Sequence, residues 1–356
     1  MEVCLVGPEH DFQEMVEVMV EAFHYTQSKY GGLPEDLAEP PISSECLRDI
    51  LEEHNKTLQG LSSPYFYRAF VAVDKKTKQI LGFNAVGGEG RVGGVGPLAV
   101  KKEAMGKGVG RLLMKAVLDS CLPSDGSEEK RMHPFRIREG ITSVRLVVNA
   151  HNPVAQSLYI SLGFDAKMHL AVMCGLERTP SSPIPSLRVR RMQISDFEEC
   201  CKFQEWATGV TKSCQLLDAI EHGEEWERAG RFNSVPYVVV KETLREDSSE
   251  EIVGFTVGLH IEGSCWGRNE EAIMCLLQEV SRKYTTGEGG VARESLWKKE
   301  IDNATAEDLP YFFVDSIRNP ALLRWCLASG FRLLKSMNHM SVGEYQPIQV
   351  CVVVCG

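Results

Sequence analysis

Residues 95–113 read Val95-Gly96-Pro97-Leu98-Ala99-Val100-Lys101-Lys102-Glu103-Ala104-Met105-Gly106-Lys107-Gly108-Val109-Gly110-Arg111-Leu112-Leu113. The β-branched and apolar run over 92–100 predicts a strand, and the apolar spacing from Val109 predicts a helix over 109–121. Between them Gly106, Gly108 and Gly110 alternate. Without a Cβ, such positions let successive backbone N–H groups point into one concavity and let a phosphate come close. The helix that follows adds its own unpaired N–H groups and the positive end of its dipole. A flexible turn is the plainer explanation of alternating glycines, so the context has to decide. There is no G-x-x-x-x-G-K-S/T run for a nucleotide P-loop, and no G-x-G-x-x-G follows the first strand as a dinucleotide fold requires.

A second block follows at Leu146-Val147-Val148-Asn149-Ala150-His151-Asn152-Pro153-Val154-Ala155-Gln156-Ser157-Leu158-Tyr159-Ile160-Ser161-Leu162-Gly163-Phe164. In purely structural terms it is a strand over 142–148 and a helix over 153–161. Asn152 is the N-cap, Pro153 the first helical residue and Gly163 the stop.

Taken together, the two blocks resemble the GNAT superfamily of acyl-CoA-dependent N-acetyltransferases. The first is similar to the family's fourth strand, pyrophosphate loop and helix, with the loop pattern Q/R-x-x-G-x-G/A falling on Met105–Gly110. Met105 departs from the usual Gln or Arg. The second block is similar to the fifth strand and following helix, with the Gly-Phe ending. The resemblance implies acetyl-CoA as the acyl donor and an unidentified primary amine as the acceptor, with direct transfer between them. It implies that Leu98, Ala99 and Val100 line the pantetheine arm and that Met105, Gly106, Lys107, Gly108, Val109, Gly110 and Arg111 hold the pyrophosphate. Asn152 and Ala155 are assigned to the cofactor as well, and Tyr159 to protonating the departing thiolate. A phenol whose pKa is ordinarily about 10 suits that task; the same residue also fits as a core aromatic. For the general base the sequence leaves Glu21, His24, Glu89 and His151 open, together with a water chain, because no acid lies over 92–100. Phe23, Tyr25 and Tyr30 are candidates for limiting the length of the acyl chain.

Working outward, 356 residues suit two domains. The expected class is α/β (α+β), with two tandem GNAT-like mixed sheets and flanking helices. Residues 176–186, with three prolines and three serines, read as a connector between a catalytic domain over 1–175 and a second domain over 187–356. Residues 122–140 read as a surface insertion. The second half repeats the first in outline. Ile80-Leu81-Gly82-Phe83 is echoed by Ile252-Val253-Gly254-Phe255, and Asp11-Phe12 by Asp196-Phe197. Asn152-Pro153 before Gly163-Phe164 is echoed by Asn319-Pro320 before Gly330-Phe331. The second copy lacks the glycine cradle: residues 262–268 replace both the fourth strand and the loop, and Gly287, Gly289 and Gly290 follow the helix instead of opening it. It is expected to be a degenerate copy that binds no CoA and keeps a structural or acceptor-shaping role. Its last apolar run, 349–355, is expected to pack against the first domain or swap into its sheet.

Composition sets the remaining bounds. A net charge of -10 argues against nucleic acid as a partner, since phosphate neutralisation needs clustered Lys and Arg. No apolar run reaches the ~20 residues of a membrane span, and the first residues lack a signal-peptide pattern, so a cytoplasmic location is expected. The 12 cysteines include no C-x-x-C pair, so no metal site is expected. A non-enzymatic acyl-CoA-binding regulatory protein is the alternative from another class.

Overall fold

Alternate residues of β2 (Tyr65–Val73) face opposite ways, and both sets are apolar but for Arg68. Phe66, Phe70 and Ala72 turn to one side, and Tyr67, Ala69, Val71 and Val73 to the other, so both faces need covering. In the computed structural model helices supply the cover. α1 (Phe12–Thr26) packs Met15, Val18 and Met19 on one face, and α2 (Val109–Cys121) packs Val109, Leu113, Met114 and Val117 on the other. The structure describes residues 1–7, 9–26, 28–29, 52, 56, 65–122, 140–178, 182–242, 250–260, 264–286, 309–347 and 351–354. The helix expected over 46–53 (Glu52 apart), the interior of the 122–140 insertion, Tyr30 and Gly287–Gly290 lie outside them.

The described residues form two units. The first takes those up to Lys167 together with Asn338–Tyr345, and the second takes Met168–Met337 and those of Gln346–Gly356. The proline-rich stretch 176–186 thus lies within the second unit. In the first, β1 (Glu2–Leu5), β2, β3 (Ile80–Glu89) and β4 (Val92–Val95) pair antiparallel in that order, and β4 pairs parallel with β6 (Ser143–Asn149). Beyond β6 comes the part of β13 (Arg332–Gly343) that follows Met337. Met340 of that part is buried in the α2-side core, beside residues from α3 (Pro153–Ile160).

In the second unit the order of elements recurs. β8 (Leu187–Arg191) leads to α4 (Phe197–Thr208) and α5 (Ser213–Arg228), then to β9 (Tyr237–Glu242), β10 (Glu250–Thr256) and β11 (Ser264–Gly267). α6 (Glu270–Thr286), β12 (Tyr311–Asp315) and α7 (Pro320–Ser329) follow. The sheet order is β14 (Cys351–Val354), β11, β10, β9, β8, and β12 pairs with the part of β7 (Asp165–Cys174) beyond Lys167. Two expectations are corrected here. Residues 264–267 do form a fourth strand, held on β10 at Phe255↔Trp266, and the final strand pairs with β11 of its own unit. The segment from the second half of the sequence that completes the first unit is instead Asn338–Tyr345.

The repeat is visible atom by atom. Phe164 N donates to Tyr159 O (3.1 Å) and Phe331 N to Cys326 O (3.0 Å), each past a glycine of positive φ, Gly163 at 90° and Gly330 at 101°. Gly82 and Gly254 likewise share one reason for lacking a side chain. A Cβ at Gly82 would stand 2.8 Å from Ala99 O, and one at Gly254 2.9 Å from Trp266 O. Bulk at either point would push the next strand away.

Candidate functional site

The site begins where two parallel strands part. β4 and β6 pair at Val92↔Ser143 and Gly94↔Arg145, and no further. The strand expected over 92–100 is in fact two pieces, β4 and β5 (Ala99–Val100), both on β3. Val95 faces Val86 while Ala99 faces Phe83, so four steps on one strand oppose three on the other. The extra residue is a β-bulge at Gly96-Pro97-Leu98, which bends the strand away from β6. A gap therefore opens between Leu98–Val100 and Leu146–Asn149. Ala99 and Val100 use one edge on β3 and turn the other toward that gap.

At the mouth of this gap lies the glycine loop. A 3-10 turn over Lys102–Ala104 follows β5, and Gly106 (φ 74°) and Gly108 (φ 86°) then take the left-handed conformation. Residues with side chains rarely hold that conformation twice in three positions. The result is a nest: no described protein group accepts from the N–H of Gly106, Gly108, Val109, Gly110 or Arg111. The helical ladder of α2 starts only with Leu112 N donating to Gly108 O (3.1 Å). Five unpaired donors at a helix N-terminus are the kind of arrangement that can hold an anion such as a diphosphate.

The side chains around the nest divide their work. Met105 is half-buried against the α1-side core, which includes Ala99; at this position the loop contributes backbone and an apolar anchor. Lys101 reaches Glu14 (3.9 Å), and the Lys102 ammonium stands 5.4 Å from the centre of the Tyr25 ring, so both lysines tie the loop to α1. Lys107 is exposed and has no acidic partner among the described residues. The Arg111 guanidinium donates to Ser161 Oγ (2.6 Å). Gly110 sits where a Cβ would be 3.4 Å from Leu158 and 3.7 Å from Val100, bringing β5, α2 and α3 together.

α3 completes the far wall. Asn152 Oδ1 accepts from Ala155 N (3.1 Å), so the asparagine serves as the helix cap. Tyr159 is 8% exposed, its ring in one apolar cluster with Val109, Leu113 and Val148, against which Leu98, Val100, Ala155 and Leu158 also pack. The structure thus gathers Leu98, Val100, Val109, Ala155 and Tyr159 around one core, while Ala99 and Met105 belong to the α1-side core. The Tyr159 hydroxyl has no hydrogen-bond partner among the described residues, and burial pushes its pKa up to about 12. It is both a core aromatic and a phenol that keeps its proton.

The four candidate bases are dispersed. Glu89, buried at the end of β3 opposite Tyr65, lies beyond Val95, at the closed end of the gap. Glu21 is half-buried and His24 exposed on α1, while His151 is half-buried just past β6, at the open end. Sequence reading missed the groups beside β6. His339 is buried, and its pKa is pushed down to about 3 by that burial and then by the Arg145 charge; Arg145 and Lys167 stand 5.7 and 5.3 Å from the Tyr345 ring. Asn338 Nδ2 donates to Gln156 Oε1 (2.9 Å). Nothing in the sequence marks residues nearly two hundred positions downstream as neighbours of α3.

Residues 66–166 match the family model described as an acetyltransferase (GNAT) domain. No curated protein matches the sequence. Among solved structures, the chain is similar to a GCN5-related N-acetyltransferase from Sphaerobacter thermophilus, at TM-score 0.56 and 16% identity, covering 98% of this chain and 96% of that one. It is similar to an acetyltransferase candidate from Pyrococcus horikoshii, at TM-score 0.58 and 12% identity over 100% and 94%. A tandem GNAT protein from the clavulanic acid biosynthesis pathway matches at TM-score 0.51 and 12% identity over 96% and 98%. Among the described residues no helix is long and apolar enough to cross a membrane. Residues 66–166 thus match an acetyltransferase (GNAT) domain, and the chain as a whole shares the fold of a tandem GNAT protein.

Proposed function

We propose that the first unit binds acetyl-CoA and transfers its acetyl group directly to a primary amine, while the second unit binds no cofactor. The observation that carries this is the run of five unpaired N–H groups from Gly106 to Arg111, set beside the open strand edge at Leu98–Val100. The nest suits the diphosphate, with Lys107 free to add charge. The strand edge suits the amides of the pantetheine arm, and an N–H there polarises the thioester carbonyl. A neutral amine attacks that carbonyl carbon, the C–S bond breaks as the tetrahedral intermediate collapses, and the thiolate takes a proton from Tyr159. Of the four candidate bases, His151 follows β6 directly at the open end of the gap, and it takes the amine proton directly or through water.

A second reading has one observation in its favour. A phenol raised to about 12 is a poorer acid than an ordinary tyrosine, which suits a protein that binds acyl-CoA as a signal and transfers nothing. A panel of amines incubated with acetyl-CoA separates the two. Acetylated product supports transfer; saturable acetyl-CoA binding with no product across the panel supports the sensor.

A further inference from the structure

The two units can be aligned hydrogen bond by hydrogen bond at the place where the first opens its gap. Lys101 N donates to Leu81 O and Arg268 N to Val253 O, and Gly82 and Gly254 meet Ala99 O and Trp266 O in the same way. Ser264–Gly267 is therefore the counterpart of Pro97–Val100. In the first unit that stretch pairs with β3 on one edge and leaves the other facing the gap. In the second, β11 pairs with β10 on one edge, and its other edge is filled: Cys265 faces Val353, Trp266 faces Val352 and Gly267 faces Cys351 of β14, antiparallel. β14 also runs alongside β12, the counterpart of β6.

An unpaired strand edge in the interior costs free energy for every N–H and C=O left without a partner. β11 and β12 lie deep in the second unit, with every residue of both strands buried. Cys351-Val352-Val353-Val354 has the β-branched, uncharged composition that an enclosed strand needs.

We propose that the space between β11 and β12 is a strand-binding slot whose ligand is an extended apolar peptide segment, filled in this chain by its own residues Cys351–Val354. The slot is the second unit's counterpart of the first unit's gap: the β11 edge persists there and peptide amides satisfy it. This inference rests on strand register alone and is independent of the ligand assigned to the first unit.

The test uses a chain ending at Pro347 and a fluorescein-labelled peptide of residues 348–356. The shortened chain should bind the peptide saturably, and the full chain at least about tenfold more weakly, because its tethered strand competes at high effective concentration. A peptide carrying Val352→Pro loses a ladder N–H and should not bind. Equal binding to both chains, or none to a folded shortened chain, overturns the proposal. If the shortened chain does not fold, hydrogen exchange on the full chain decides. Slow amides at 351–354 support the strand, and exchange at the rate of a free tail overturns it. Oxidising Val353→Cys, opposite Cys265, should give an intramolecular disulfide; a crosslink between chains would assign the slot to a second copy and overturn the cis arrangement.

Discussion

Lys101 and Arg268 make the same hydrogen bond to the preceding strand, and from that point the two units diverge. In the first, seven residues, Lys102 to Gly108, separate Lys101 from α2; in the second, Asn269 alone separates Arg268 from α6. The long version turns through two left-handed glycines and leaves the first-turn N–H groups bare. The short version caps its helix, with Asn269 Oδ1 accepting from Ala272 N at 2.9 Å. One side chain thus consumes the kind of donor that the other unit leaves free for an anion. The two gaps diverge in the same way, one open along Leu98–Val100 and the other paired with β14. An anion site of this type is made by leaving backbone unsatisfied, and it is lost as soon as the chain satisfies its own groups.

The largest effect expected from breaking this contrast is on turnover. Tyr159→Phe keeps the ring in its core position and removes only the proton donor, so the rate should fall about 10²- to 10⁴-fold with CoA affinity unchanged. Its counterpart Cys326→Ser should leave turnover alone. Because burial holds the Tyr159 proton to about 12, activity should show no decline from this group at pH values up to about 10. A loss confined to KM would make Tyr159 a binding residue.

Next comes the nest. Gly108→Asp puts a carboxylate among the five donors, and like charges brought together cost several kcal/mol, so CoA affinity should drop more than about 100-fold. Gly108→Asn tolerates the same positive φ without the charge and should lose much less. Calorimetric titration of both folded variants checks this; equal affinities for the two would remove the diphosphate from this loop.

The smallest effect lies in the second unit. Asn269→Ala deletes the cap of α6 and should cost about 1 kcal/mol, seen as a fall in Tm of roughly 2–4 °C. CoA affinity should not change. An Asn269→Ala chain that gained CoA binding would show that the cap, and not the missing loop, keeps the second unit empty.

Much of this contrast can be read in the sequence. The helix expected over 109–121 is α2 residue for residue, because its start is fixed by Gly108 and its length by apolar spacing. The strand over 92–100 is legible as strand, and its break is signalled only by Gly96-Pro97, a pair that inside a strand pattern marks a bulge. Ser264-Cys265-Trp266-Gly267 is too short to show alternation, so only pairing on both edges reveals it as a strand. The membership of Asn338–Tyr345 in the first unit was not legible, because alternation in β13 states which faces are buried and not which sheet receives them. Met105 shows the opposite case. It departs from the family pattern, and the structure explains it by an apolar seat against the α1 core.

The central claim is that one unit keeps a cofactor site and the other has closed its own. Isothermal titration of the full chain with CoA tests this most directly. One site per chain, abolished by Gly108→Asp and unaffected by Asn269→Ala, is the predicted result. Two sites per chain, or one that survives Gly108→Asp in a folded protein, would contradict it.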